Sequence, residues 1–158
     1  MIELFDIKKS FGAQQVLQGI SLTIPKGKTT VVLGRSGCGK SDLLKVILRL
    51  LSLDEGKIVI GGVDTSNFSE SEMMPIRRKI GMLFQGAALF DSMTVKENVA
   101  FGLRMHTRMS EEEISERVRV CLEEVGLAGS EETMPVELSG GMRKRAALAR
   151  AIAMSPDF

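Results

Sequence analysis

The chain has 158 residues, of which 44% are hydrophobic and 26% are charged, a composition typical of a folded globular protein and not of a disordered or fibrous one. Its 21 basic and 20 acidic side chains give a net charge of +1, so no basic field is present to hold nucleic acid. The most apolar stretch, residues 43–53, carries two charges and is shorter than the roughly 20 residues of a membrane span, so we expect no transmembrane segment.

The first half of the chain has strand patterns interrupted by one amphipathic helix. Residues 20–24 alternate between apolar and polar side chains, which predicts a half-buried strand of an antiparallel sheet. The β-branched run at 29–33 shows no alternation, which is typical of a parallel strand buried on both faces. Apolar residues recur at helical spacing over about 40–51. Three shorter elements follow, a strand at 57–60, a helix at about 71–79 and a strand at 81–84.

The second half of the chain is predominantly helical. Apolar residues follow a helical period from 94 to 126, and Ser110 with Glu113 forms a capping box that predicts the start of a helix. A last helix is predicted at about 140–154, where Ser155 and Pro156 end it. No internal repeat separates these helices into copies of one unit.

Residues 34–41 read GRSGCGKS and fit the phosphate-loop pattern G-x-x-x-x-G-K-[ST], with a predicted strand before the loop and a helix after it. The glycines let backbone N–H groups turn toward phosphate oxygens, and the helix N-terminus adds its positive dipole end. Lys40 is placed to reach the β- and γ-phosphates, and the hydroxyl of Ser41 is placed to ligate Mg²⁺. The predicted nucleotide contacts here are Gly34, Arg35, Ser36, Gly37, Cys38, Gly39, Lys40, Ser41 and Asp42.

Three other features have simpler interpretations. A cysteine near a helix N-terminus can be a reactive thiol, but we interpret Cys38 as a small loop residue that bound nucleotide would shield. The single histidine, His106, has no second histidine or cysteine partner, so no metal site is expected there. The basic residues at 143–145 and Arg150 are expected to form a solvated or domain-facing surface.

A second motif, Leu138-Ser139-Gly140-Gly141-Met142, precedes an Ala-rich helix. Backbone N–H groups at a helix N-terminus form an anion site, and LSGG after a phosphate loop resembles the signature of ABC transporter ATPase subunits. The resemblance implies that Ser139, Gly140, Gly141 and Met142 bind the γ-phosphate of ATP held by a partner subunit. It therefore implies an isologous homodimer that sandwiches two ATP molecules head to tail.

The resemblance assigns further residues. Phe11, with Val16 nearby, matches the position whose aromatic ring stacks on adenine, although a lone Phe is more often a core residue. Gln85 matches the glutamine that contacts Mg²⁺ and the attacking water. The implied catalytic residues are Lys40 and Gln85, and the implied metal ligands are Ser41 and Gln85.

The fold implied by the resemblance is an α/β P-loop NTPase of the ABC ATPase type. It would combine an N-terminal antiparallel β subdomain, an incomplete RecA-like core with a parallel sheet, and a helical subdomain. The chain is then one ABC ATPase domain, 1–158. It divides into the β subdomain and phosphate-loop core at 1–85, the helical subdomain at 86–137 and the signature segment with its helix at 138–158.

The stretches 84–107 and 134–157, with Met142 where most ABC proteins carry Gln, resemble the ATPases of phospholipid-transport systems, of the maintenance-of-lipid-asymmetry or MCE-associated type. The resemblance implies an integral membrane permease as partner, with an MCE-type substrate-binding protein as a further one. It places the subunit peripherally on the cytoplasmic face of the inner membrane. The implied function is ATP binding and hydrolysis coupled to phospholipid transport.

Two departures from the family pattern bear on activity. Family members continue with a strand ending in Asp-Glu, a D-loop and a switch histidine, whereas this sequence ends at Phe158, so we expect binding without useful hydrolysis. Asp42 replaces a Thr or Val and is expected to repel phosphate. An alternative is a non-hydrolysing nucleotide-binding module; a kinase or GTPase is disfavoured because neither carries LSGG.

Overall fold

A computed structural model describes residues 1–158. The backbone divides into two units, Met1–Arg77 and Arg78–Phe158. The first unit holds the sheet and two short helices, and the second unit holds three longer helices.

The first unit is built on a four-stranded antiparallel sheet. Its strands are β1 (Ile2–Phe11), β2 (Gln14–Ile24), β3 (Glu55–Ile60) and β4 (Val63–Asp64), in the order β2-β1-β3-β4. Ile2 pairs with Ile24 on one side and with Ile60 on the other, so β1 is the central strand. Alternate apolar side chains of these strands are buried, among them Ile2, Leu4, Ile7, Leu17, Ile58 and Ile60. The predicted N-terminal antiparallel sheet and the strand at 57–60 are confirmed.

Two helices complete the first unit. Helix α1 (Lys40–Ile47) buries Leu43, Val46 and Ile47, as its apolar spacing predicted. It ends four residues before the predicted boundary, because Arg49 adopts a left-handed φ of 55°. Arg77, the last residue of α2 (Glu70–Arg77), donates to the carbonyl oxygens of Leu48 at 2.8 Å and of Arg49 at 3.1 Å, which fixes this end.

The two segments predicted as buried parallel strands lie outside any sheet. Residues 29–33 have no strand partner, and Val31 and Leu33 are 71% and 87% exposed. At 81–84 the backbone hydrogen bonds are those from Gly81 N–H to Phe158 O at 2.8 Å and from Ala87 N–H to Phe84 O at 3.0 Å, and these two do not form a strand ladder. A strand requires a hydrogen-bonded ladder with a neighbour, and the local sequence does not specify that neighbour. Both strand predictions are therefore wrong for this structure.

The second unit is predominantly helical, as predicted, and it contains three helices. Helices α3 (Val95–His106) and α4 (Glu111–Glu124) each begin with a capping box, from Thr94 with Glu97 and from Ser110 with Glu113. A 3-10 turn at Pro135–Glu137 leads to α5 (Gly140–Ala153). The three helices enclose one apolar core that includes Val95, Val99, Leu103, Ile114, Val118, Cys121, Leu122, Ala146 and Ala149.

The length of the helices limits what they can span. The longest, α4 and α5, have 14 residues each. None of the helices combines the length and the apolar character that crossing a membrane requires.

Candidate functional site

The phosphate-loop segment turns tightly before α1. Gly37 and Gly39 have φ values of 77° and 93°, a region that residues with a Cβ rarely adopt, and Gly39 is the N-cap of α1. A Cβ added at Gly39 would lie 2.6 Å from Val16 Cγ1 and 3.1 Å from Leu17 Cδ2. The loop therefore packs directly on β2, and only glycine fits at this contact.

Lys40 points back into the loop that precedes it. Its Nζ donates to the carbonyl oxygens of Gly34 and Arg35, both at 2.7 Å, and lies 3.7 Å from Cys38 Sγ. These acceptors are neutral, whereas a phosphate oxygen would form a stronger, charge-assisted hydrogen bond with the same ammonium group. The loop thus holds a cation at its centre in the position that the motif predicts.

The first turn of α1 carries the remaining predicted residues of this loop. Ser41 is exposed, and its side chain and that of Lys40 line a cavity of about 270 Å³. The carboxylate of Asp42 lies 3.6 Å from Lys45 Nζ. Arg35, Ser36 and Cys38 are exposed on the loop. An open hydroxyl beside a cation is an arrangement that suits a metal-bound phosphate.

Phe11 is not a core residue. It lies at the end of β1, its side chain is 45% exposed, and Lys9 Nζ lies 5.6 Å from the ring centroid. Val16 on β2 is half-buried and contacts the position of Gly39. The structure therefore contradicts the core alternative and leaves the Phe11 side chain partly exposed, in the same unit as the phosphate loop.

The signature residues start α5. Ser139 is its N-cap, with Oγ accepting from the Met142 N–H at 3.2 Å. Gly140 and Gly141 are exposed in the first turn, where backbone N–H groups have no partner within the helix, while Met142 packs against the apolar core. The first turn of α5 thus has the free N–H groups on which the predicted anion site depends.

The basic residues after the signature are not simply a solvated surface. Arg143 donates to Leu138 O at 2.7 Å and Arg145 to Gly126 O at 2.8 Å. Arg150 donates to Ala88 O at 2.8 Å and to Ala87 O at 3.1 Å. Arg143 and Arg145 are exposed, as expected, although both also bind backbone carbonyls. For the half-buried Arg150 the expectation of a solvated face is wrong.

Gln85 is exposed on the turn that ends in the two alanines held by Arg150. Asn98 of α3, fully buried, binds the backbone at the far end of the same segment. Sequence reasoning missed Arg150 and Asn98, and the only signal was a polar residue on an otherwise apolar helix face. The structure brings the phosphate-loop residues and Val16 together in the first unit, whereas Gln85 and the signature residues belong to the second.

Comparison with known proteins agrees with this site. The family profile described as ABC transporter matches residues 17–158, and the chain belongs to that family. The identification made from the phosphate loop and the signature is thereby confirmed, as is the ABC ATPase fold class.

Two groups of curated relatives share the whole chain. The probable ribonucleotide transport ATP-binding protein mkl of Mycobacterium tuberculosis is 47% identical over 157 residues, which cover 99% of this chain and 44% of the relative. The intermembrane phospholipid transport system ATP-binding protein MlaF of Escherichia coli is 43% identical over 158 residues, which cover 100% of this chain and 59% of the relative. This chain therefore spans about half the length of these relatives, and the predicted similarity to phospholipid-transport ATPases is confirmed.

Among solved structures, the dimeric bacterial ABC transporter cassette MJ0796 superposes with a TM-score of 0.93 at 35% identity, covering 99% of this chain and 71% of the cassette. The same cassette in a post-hydrolysis state with ADP and Pi gives a TM-score of 0.91. The relatives thus include a cassette that dimerises and binds nucleotide.

Proposed function

We propose that this chain binds ATP with Mg²⁺ through residues 34–41 and acts as the ATP-binding subunit of an ABC transporter. The observation that supports this best is the ammonium group of Lys40, held 2.7 Å from two carbonyl oxygens of a loop that leads into a helix N-terminus. An ATP phosphate group entering this loop would meet a cation, turned backbone N–H groups and the helix dipole together.

Each predicted residue has a proposed role. Phe11 and Val16 contact adenine, Lys40 binds the β- and γ-phosphates, and Gly34 to Gly39 supply backbone N–H groups. We assign Ser41, through its exposed hydroxyl, and Gln85, through its amide oxygen, as the residues that would hold Mg²⁺, since Mg²⁺ prefers oxygen ligands. When bound, the ion neutralises phosphate charge, and Gln85 orients water.

The signature would act on a second subunit. We propose a head-to-tail homodimer in which Ser139, Gly140, Gly141 and Met142 contact the γ-phosphate held by the other copy. The exposed first turn of α5 and the Ser139 cap support this role, because they leave unpaired N–H groups at the surface. The dimeric state of the related cassette MJ0796 supports the same arrangement.

We propose phospholipid as the cargo, with an integral membrane permease and an MCE-type substrate-binding protein as partners, on the cytoplasmic face of the inner membrane. The support is the similarity to MlaF. A ribonucleotide is the second candidate cargo, because the mkl relatives are 47% identical to this chain. Stimulation of ATP turnover in the assembled transporter by phospholipid vesicles, and not by ribonucleotides, would favour the first.

Calorimetric titration of the chain with Mg²⁺–ATP tests the proposal. Lys40→Ala removes a charged hydrogen-bond donor worth about 1.5–3 kcal/mol, which corresponds to roughly 10- to 150-fold weaker binding. Lys57→Ala, on β3 in the same unit, removes the same charge from a surface pair with Asp64 and should leave affinity unchanged. No heat with the wild type, or equal affinity for Lys40→Ala, would refute the proposal. Phosphate release measured on the same samples separates hydrolysis from binding alone.

A further inference from the structure

The segment after Gln85 has an unusual backbone. Ala87 and Ala88 have φ values of 65° and 51°, two consecutive left-handed residues without a glycine. For a residue with a Cβ this conformation is sterically unfavourable. Ala87 N–H donates to Phe84 O at 3.0 Å, which closes a tight turn around Gln85. Such a turn persists only where neighbouring groups hold it.

Arg150 of α5 stabilises this turn. Its two terminal nitrogens donate to the carbonyl oxygens of Ala88 and Ala87 at 2.8 and 3.1 Å, so one guanidinium group binds both left-handed residues. The same group lies 5.8 Å from the ring centroid of Phe90, within cation–π range. Partial burial lowers the pKa of the Arg150 guanidinium.

Asn98 anchors the other end of the segment. Its Oδ1 accepts from Phe90 N–H at 2.8 Å, and its Nδ2 donates to Phe90 O at 3.1 Å and to Met93 O at 3.0 Å. The Asn98 side chain is fully buried, so these bonds are protected from competition by water. The backbone from Ala87 to Phe90 is therefore fixed on one side by α5 and on the other by α3.

We propose that Arg150 is a positioning residue for Gln85: it holds the left-handed turn next to Gln85, and with it the contact to Mg²⁺ and water proposed above for that residue. The inference rests on the proposed function. It also links two predicted nucleotide contacts mechanically, because the helix that carries Arg150 begins at Ser139. Nothing in the signature motif itself requires an arginine eleven residues beyond its serine.

Hydrogen exchange of the full chain, with and without Mg²⁺–ATP, tests this inference. In the wild type we expect nucleotide to slow exchange at 34–41 and at 85–90. In Arg150→Gln the slowing at 34–41 should remain and the slowing at 85–90 should be lost. Lys144→Gln, an exposed position on the same helix, should behave like the wild type. Arg150→Lys keeps the charge but lacks the two-pronged donor, so it should also lose the response at 85–90.

The outcomes of this experiment distinguish failure of the Arg150 inference from failure of the proposed function. A purely structural arginine would raise exchange at 85–90 equally with and without nucleotide, which leaves the nucleotide-induced difference intact and overturns the inference. Slowing at 34–41 alone in the wild type would also overturn it, while leaving nucleotide binding supported. Slowing at neither segment would overturn the proposed function and this inference together. If Arg150→Gln does not fold, as judged by its melting curve, the Arg150→Lys result decides.

Discussion

The carboxylate of Asp42 lies 3.6 Å from the ammonium nitrogen of Lys45, one turn further along α1. Both side chains are partly exposed, so the pair contributes at most about 1 kcal/mol to stability. The helix N-terminus favours a carboxylate there by a further 0.3–1 kcal/mol, roughly. A negative charge next to Ser41 is thus tolerated by the protein, but it lies one residue from the hydroxyl that we propose to hold Mg²⁺.

Replacing Asp42 should tighten ATP binding. Asp42→Thr removes a like charge close to the phosphates, and a repulsion of roughly 1 kcal/mol corresponds to about fivefold higher affinity. Lys45→Ala should weaken ATP binding, because it removes the cation that partly neutralises Asp42. Calorimetric titration with Mg²⁺–ATP measures both variants. Unchanged affinity in Asp42→Thr would reject the proposed repulsion.

Gly39→Ala should destabilise the protein more than Gly37→Ala. Both positions have positive φ, but a Cβ at Gly39 would meet Val16 at 2.6 Å, whereas Gly37 has no atom within 4 Å of that position. Left-handed strain of about 1–2 kcal/mol applies to both, and overpacking adds about 1–3 kcal/mol at Gly39 alone. Urea unfolding of the two variants measures the difference. Equal losses would show that the loop moves away from β2 at little cost.

The parts of the fold that the sequence predicted are those set by near neighbours. The capping box joins Ser110 to Glu113, three residues away, and the apolar spacing of α1 joins residues on successive turns of one helix. The end of α1 was missed because Arg77, far along the chain, caps it at Leu48. The segment 29–33 was read as a strand from composition, but a ladder needs a partner that local sequence cannot specify.

Some residues of the candidate site can likewise be predicted from the sequence, and others only from the structure. The phosphate loop and the signature are contiguous motifs, so the sequence alone is enough to predict residues such as Lys40 and Ser139 as nucleotide contacts. Arg150 binds Ala88, 62 residues before it, and Asn98 binds Phe90, eight residues before it, and neither Arg150 nor Asn98 belongs to a motif. Their roles follow only from packing, which places the donor groups of these side chains beside backbone carbonyls that the sequence does not single out.

Asn98→Ala should cost substantial stability. The substitution leaves the Phe90 N–H and the carbonyls that Asn98 binds without partners in a buried site, a loss of about 2–4 kcal/mol. Asn67→Ala is the matched control, since Asn67 is exposed and a surface change is expected to stay within about 0.5 kcal/mol. Urea unfolding at neutral pH measures both. A loss below 1 kcal/mol, roughly, in Asn98→Ala would mean that water replaces the amide.

The contribution of Asp54 should depend on pH. Its carboxylate accepts from Lys9 Nζ at 2.7 Å and from the Ser10 N–H at 2.6 Å, and these two bonds hold the pKa of Asp54 below its ordinary value. A pKa lower in the folded than in the unfolded chain means that the ionised group stabilises the fold above the ordinary Asp range. That stability is lost as the pH falls through the folded value.

Asp54→Asn therefore should be less stable than the wild type at neutral pH, with the difference shrinking as the pH falls below about 4. The comparison isolates Asp54, because every other carboxyl group titrates in both proteins. Urea unfolding at several pH values between neutral and about 3 measures it. A difference that stays constant across this range would show that the Lys9 and Ser10 bonds do not distinguish the ionised carboxylate from a neutral amide.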